Sequence, residues 1–567
     1  MTKKTRNWLY LPLVGWCFTA NADYQTDIAY SQLKADLNAG GITVPNGSGV
    51  RVTLVEASSS TTAVIFAPDP SVTALSGKIF LYPGLTTCTI LPCTPSEYSG
   101  HATGAAKTFF GNDIAMAQGV DNIHSYEVNQ WVSSLYNPGT FSATLTDRRI
   151  ANHSWVSIGS SDSDGGILRI VDRQVDRNEY IQVAATSGHL LSNAYNVIAV
   201  GLTSSATNYS SEAIDTNYVA GRAITHLVAP AANLSTATPI VAAASALLVQ
   251  TGHQQTSLSL GYGNISGVGT VYNAERSETI KAVLMAGADK QTSNSSGYGN
   301  ITGYRSAGRQ TANGLDTRYG AGQLNVLNSY YILTAGEQNS LEDNGINAGQ
   351  IGVAGFDYDP SFGGLNGSNS SATYDFTASA GERINASLVW NIGIGNNSAL
   401  SATVRHLGLS LVDVTDGGST LAASDSLNDN TQSIAWDELI AGHHYRLLVS
   451  SMEASNFKAD YALAWQRLAT IDTDTDADGV PDRLDNCTLV ANANQRDTDG
   501  DDYGNICDPD FNQNSVVDPT DFSRLKAKLG TASTHEDLNG NGIVDPTDFS
   551  LLKSYLGKMP GPSGLNP

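Results

Sequence analysis

Ala229 to Gln250, APAANLSTATPIVAAASALLVQ, restricts the fold more than any other stretch of the chain. An extended segment passes through a short loop into a helix of Ala, Val, Ile and Leu with almost no polar face. A helix apolar all round belongs inside a large core. Its first turn is expected to hold Ser235 and Pro239, because early helical N–H groups lack partners and proline is tolerated there. A serine at the positive end of a buried helix dipole lies where developing negative charge is stabilised. As a local feature it is also an ordinary N-cap.

A chain of 567 residues exceeds one core, so three or four domains are expected. With 41% hydrophobic residues, 55 glycines and 15% charged residues, it is globular and rich in loops and strands rather than disordered. The formal charge of −23 argues against nucleic-acid binding. That charge is concentrated: Asp472 to Asp548 hold 18 Asp and Glu against five Lys and Arg. Acid so dense calls for divalent cations.

Lys3, Lys4 and Arg6 precede an apolar run from Trp8 to Phe18, followed by Ala20-Asn21-Ala22. This is the pattern of a cleaved secretory signal over residues 1–22, too short for a membrane span. No later stretch is long enough for one, so no membrane span is expected. Export makes Cys88 with Cys93, and Cys487 with Cys507, two expected disulfides.

Gly49–Glu56, GVRVTLVE, is a β-branched run with an acid at its C-terminal end, where open α/β sheets gather ligands. SGHATGAA (99–106) begins a tightly packed helix, and RIANHSW (149–155) reads as a strand and its exit. A helix from about 166 to 180, a strand over 181–185 and another over 195–201 follow. This alternation predicts an α/β, doubly wound parallel sheet. From about 349 to 468 a period-two pattern takes over: Ile384/Ala386/Leu388/Trp390, Leu407/Leu409/Leu411, Tyr445/Leu447/Val449 and Tyr461/Leu463/Trp465. It predicts an antiparallel β-sandwich.

The acid after VRVTLV, then SGHATGAA, ANHSW, VAATSG, YNVIAVG and NLSTATP, fall in the order found in subtilases, and residues 45 to 335 resemble that family of serine peptidases. The resemblance implies Ser235 as nucleophile, His101 as general base and then acid, and Glu56 as the group orienting His101, acting on a protein or peptide substrate. Glu56 stands where the family usually has aspartate. Ser187 stands at the oxyanion position usually held by asparagine, and Asn233-Leu234 replaces Gly-Thr before the nucleophile. These departures leave open a silent member of the family that keeps the fold for binding or scaffolding. The glutamate also admits an acid-active, sedolisin-like peptidase.

In the acidic tail, Asp474, Asp476, Asp478, Asp482 and Asp485 surround Gly479 at the spacing with which carboxylates wrap calcium. Asp497, Asp499, Asp501, Asn505 and Asp508 repeat it, and the pair resembles thrombospondin type 3 repeats. Asp510, Asn512, Asn514 and Asp521, then Asp537, Asn539, Asn541 and Asp548, open two further loops. They lead into the near duplicates VVDPTDFSRLKAKLG and IVDPTDFSLLKSYLG, a pattern similar to dockerin type I modules, with Ser515 in place of the first turn glycine. That resemblance implies calcium as cofactor and a cohesin-type partner contacted near Pro519-Thr520 and Pro546-Thr547. The expected organisation is 1–22 signal, 23–340 subtilisin-like domain, 349–468 sandwich, 472–508 thrombospondin type 3 repeats, 509–557 dockerin type I and 558–567 tail.

Overall fold

The structure, a computed structural model, describes residues 10–12, 24–60, 63–85, 94–137, 142–157, 162–186, 190–204, 208, 210–343, 348–363, 370–453, 457–469, 475–476, 478–480, 482 and 485–565. They form two compact units, Met1–Ser31 with Pro45–Arg467, and Gln32–Val44 with Leu468–Pro567. The expected Ala20-Asn21-Ala22 cleavage site and the Cys88/Cys93 pair lie outside the described residues.

In the first unit, seven strands make one sheet: β1 (Val52–Glu56), β2 (Ile79–Leu81), β3 (Asn122–Glu127), β4 (Ile150–His153), β5 (Ile181–Ala185), β6 (Ile198–Leu202) and β7 (Leu227–Ala229). Their order is β7-β6-β5-β4-β1-β3-β2, and every pairing is parallel. The sheet is therefore the predicted doubly wound type. β1, β4 and β5 are buried along their whole length, so their polar residues, Thr53, Asn152, His153 and Gln182 among them, are buried with the apolar ones. The strand expected over 195–201 begins at Ile198, because Asp172 accepts hydrogen bonds from the N–H groups of Tyr195 and Asn196 and draws them out of the ladder.

Helix α1 (Gly100–Phe110) and α2 (Asp162–Asn178) flank the sheet, and α3 (Leu234–Gln254) runs through the core. Although α3 is long and apolar enough to cross a membrane, 89% of its most apolar window is buried within the unit. Two corrections apply to its start. Asn233, not Ser235, is the N-cap, its side chain accepting from the Thr236 N–H, and Pro239 falls in the second turn rather than the first. Tyr10–Pro12 pairs antiparallel with Trp155–Ser157.

The sandwich consists of β8 (Ala354–Phe362), β9 (Ser371–Thr377), β10 (Glu382–Val389), β11 (Leu407–Asp413), β12 (Ser419–Ser424), β13 (Thr431–Trp436), β14 (His444–Ser451) and β15 (Ala459–Ala469). Its two four-stranded sheets are ordered β8-β15-β10-β13 and β9-β14-β11-β12. The alternating residues read from the sequence, Trp390 and Trp465 among them, fill the space between them. Helix α4 (Ser277–Ala286) packs on β10. There, Asn391 donates to Glu278 Oε1 at 2.6 Å and to Ser277 Oγ at 3.1 Å, so the sandwich is bonded to the α/β part through buried polar groups.

In the second unit, α5 (Pro519–Lys528) and α6 (Pro546–Tyr555) each start at an aspartate N-cap with a capping box, Asp518 with Asp521 and Asp545 with Asp548. Val517, Leu525, Val544 and Leu552 form their shared core. Cys487 and Cys507 are joined as a disulfide, with 5.7 Å between their Cα atoms.

Candidate active site

Glu56 ends β1 at the C-terminal edge of the sheet and is 1% exposed. α1 begins beside it: Ser99 Oγ caps the helix by accepting from Ala102 N, which fixes His101 in the first turn. His101 Nδ1 and Glu56 Oε2 are 2.7 Å apart. A carboxylate only accepts, so Nδ1 carries the proton and Nε2 presents a lone pair. Nε2 and Glu56 Oε1 are both buried and have no hydrogen-bond partner among the described residues. Burial alone pushes the imidazole pKa down, but the charge of Glu56 and its hydrogen bond outweigh burial and hold it above the usual 6.5.

Ser235 is the second residue of α3, which packs against α1. Its N–H belongs to the first turn, where helix geometry supplies no acceptor, and the dipole of this 21-residue helix points its positive end here. Ser235 Oγ donates to the carbonyl of Ser154 at 3.4 Å rather than to His101. Ser154 Oγ donates back to the carbonyl of Ser235 at 3.1 Å and accepts from Asn152 Nδ2 at 3.0 Å. That return bond has a cause in the sequence. The carbonyl of residue 235 would ordinarily accept from the N–H of residue 239, and Pro239 has none. Ser154 supplies the missing donor. Sequence reasoning overlooked it, although a proline four residues after Ser235 was the available signal.

The neighbouring His153 has a structural role. Its Nδ1 accepts from Trp155 Nε1 and its Nε2 faces Gln182 Oε1 at 2.7 Å. Full burial pushes its pKa down to about 3, so it stays neutral. Asn233 and Leu234, which replace smaller residues of the resembled family, divide two tasks: Asn233 caps α3, and Leu234 stays half-buried beside Ser235. Ser187 lies outside the described residues. Glu56 and His101 are thus brought into direct contact, and Ser235 is brought to the same rim without a bond to His101.

In the second unit, Asp476, Asp478 and Asp485 offer oxygens within 4.8 Å of one another, and so do Asp497, Asp499 and Asp501. Asp485 Oδ2 is buried without a hydrogen-bond partner among the described residues, and Asp508 is pushed up to about 8 by burial and by Asp501, Asp499 and Asp510. Converging carboxylates strained in this way fit a hard divalent cation. Asp482 instead accepts from Thr475 N and Oγ1, and Asn505 bonds Thr498 and Thr534. Asp474 lies outside the described residues. The two later loops close alike: Asp510 accepts from Asn514 and Ser515, Asp537 from Gly540, Asn541 and Gly542. Asp521 and Asp548 receive the N–H groups of Asn512 and Asn539. Gln513 and Ser515 take positive φ of 56° and 68° where the second loop has Gly540 and Gly542, so the first loop carries backbone strain that its twin avoids.

Residues 508–557 match the dockerin type I domain family model and residues 471–495 that of the thrombospondin type 3 repeat. These matches bear out the resemblance read from the acidic loops, and the second acidic copy falls between them. No curated protein matches the chain. Among solved structures, it is similar to a serine-to-alanine mutant of the protease domain of PatA, at 15% identity over 52% of this chain and 98% of that one, with a TM-score of 0.33. It is also similar to tripeptidyl peptidase 2 (14%, 65% and 40%, TM-score 0.26). The pre-peptidase C-terminal domain of collagenase from Bacillus anthracis matches at 20% identity over 22% of this chain and 98% of that domain, with a TM-score of 0.16. Likenesses this distant carry no functional weight; the geometry has to.

Proposed function

We propose that the chain is an exported, calcium-binding serine endopeptidase of subtilisin-like type. The buried Glu56–His101 pair beside the N-terminus of α3 carries this reading. Ser235 Oγ leaves the Ser154 carbonyl, turns to His101 Nε2, gives up its proton and attacks the substrate carbonyl carbon. Glu56 holds the imidazole in the required tautomer and stabilises the imidazolium. His101 then passes the proton to the departing amine, and water, activated by the same imidazole, releases the acyl group. The Ser235 N–H and the α3 dipole support the oxyanion, with Ser187 as the second donor. Asp476, Asp478 and Asp485, Asp497, Asp499 and Asp501, and the two dockerin-type loops would hold calcium and keep their segments folded. The dockerin-type helices would dock the enzyme to a cohesin-type partner.

The Ser235–Ser154 bond favours a second reading, a silent module that keeps the fold for binding. A fluorophosphonate probe separates the two. Under the peptidase reading it labels the wild-type chain near neutral pH and leaves Ser235→Ala unlabelled. Absence of labelling in the wild type ends that reading.

A further inference from the structure

A cavity of about 680 Å³ opens along α1 and is lined at that helix's start by Ser99 and Gly100, the two residues before His101. One wall is α1 itself, through Thr103 and Gly104, which directly follow His101 and Ala102, and through Lys107 one turn on. Thr236, the residue after Ser235, lines it as well. Among the described residues lining it, three carry charge: Asp69, Asp113 and Lys107. Lys107 and Asp113 face each other at 3.9 Å and offset one another. Asp69 is left as the unbalanced charge. Ser71 donates to its carboxylate from both N–H (2.9 Å) and Oγ (2.7 Å), which holds its pKa below the ordinary value and keeps it ionised. Thr103 Oγ1 accepts from the Asp69 N–H at 2.9 Å, tying the loop that bears this charge to the helix that bears His101.

The position relative to the reacting atoms decides which part of a substrate would enter. The acyl portion stays on Ser235 Oγ, whose present partner is the Ser154 carbonyl at the exit of β4. The departing portion takes its new proton from His101 Nε2, so its first residues leave across α1. That is the wall the cavity runs along. We propose that this cavity binds the segment C-terminal to the cleaved bond and selects a lysine or arginine side chain there, held by Asp69. The inference rests on the peptidase reading and adds a substrate class to it. An isolated surface carboxylate in a partly enclosed site discriminates between charges modestly, on the order of tenfold between a cationic and an anionic residue, and less as salt rises.

The test is digestion of a peptide mixture by the full chain, with cleavage positions mapped by mass spectrometry and kcat/KM compared for partners that differ only in the three residues after the cleaved bond. Lys or Arg is expected to exceed Asp or Glu by about tenfold. Asp69→Asn should shrink that ratio to about twofold, whereas Lys107→Gln, which unmasks Asp113, should enlarge it. A preference confined to residues before the cleaved bond, or a ratio indifferent to both substitutions, overturns the inference. A binding measurement keeps the two proposals distinguishable. Fluorescence anisotropy of arginine- and glutamate-bearing peptides is measured on the Ser235→Ala chain, alone and with Asp69→Asn. If the wild type neither cleaves nor is labelled but the arginine peptide binds selectively through Asp69, the catalytic reading fails and the cationic site stands. Equal binding of both peptides removes the site.

Discussion

Ser154→Ala is the substitution whose cost follows most directly from the structure. Ser154 Oγ satisfies two buried groups at once, the Ser235 carbonyl and Asn152 Nδ2. Both partners are buried, so water cannot replace the lost hydroxyl. Each orphaned buried group costs about 1–3 kcal/mol, giving roughly 2–6 kcal/mol together. At about 2.1 cal/mol/K per residue, a unit of this size loses about 1 °C per kcal/mol, so the melting temperature falls by roughly 2–6 °C. One of the two losses has a specific remedy. Pro239→Ala restores the N–H at position 239, which lies one helical turn on and donates to the Ser235 carbonyl in ordinary i to i−4 fashion. The double variant should therefore recover about half of the loss, while the Asn152 amide stays unpaired. Calorimetry on wild type, both single variants and the double variant yields the coupling energy of the cycle, expected at about 1–2 kcal/mol. A coupling below about 0.5 kcal/mol would mean that the carbonyl is not the shared partner, and the account of Ser154 given above would be wrong.

Two further outcomes are expected. Because Glu56 holds His101 above its ordinary 6.5, the acid limb of kcat/KM should centre above that value, the rate rising as the imidazole loses its proton. Glu56→Gln leaves burial as the dominant influence, so the limb should move below 6.5 and kcat fall by about 10⁴; an unmoved limb refutes the role of Glu56. In the tail, burial and mutual repulsion raise Asp508 to about 8 and push Asp485, Asp497, Asp501 and Asp521 up as well. A carboxyl raised on folding binds more protons folded than unfolded. The metal-free tail should therefore lose stability as pH climbs from the usual carboxylate range through about 8. Calcium requires the ionised ligands and should reverse that slope. Circular dichroism melts in chelator and in calcium, at about pH 5 and pH 8, check the sign; equal slopes in the two conditions would contradict calcium ligation.

The parallel sheet was legible because strands buried on both faces are rich in Val, Ile, Leu and Ala, and β1, β5 and β6 announce themselves in that way despite Thr53 and Gln182. The sandwich was legible for the opposite reason: one face per sheet faces the core, so Leu407, Leu409 and Leu411 alternate with the small residues Gly408 and Ser410. Spacing around small turn residues exposed the acidic loops, since ligands that wrap one ion must recur at short fixed intervals. Pairings over long separations were not legible. The 81-residue separation between Ser154 and Ser235 leaves no periodic trace, and neither does the 34-residue step from Asp69 to Thr103.

What reads as a departure from a family pattern can be a local solution to a local problem. Asn233 occupies a place where the resembled family carries a smaller residue, and there it caps α3 through Thr236 N and Thr236 Oγ1. A helix whose interior is almost wholly apolar cannot afford an uncapped, half-buried first turn. The Ser235 carbonyl freed by Pro239 poses a matching problem on the acceptor side two residues after the cap, and Ser154 answers it from the exit of β4. Cap and crosslink together fix the first two turns of α3 from both sides. They hold the Ser235 backbone in place while its hydroxyl, bound at 3.4 Å to the Ser154 carbonyl, stays the weakest link of the group. A nucleophile needs just this division, a rigid main chain and a side chain that turns at little cost, and the reading of Ser235 as that nucleophile draws its physical support from it.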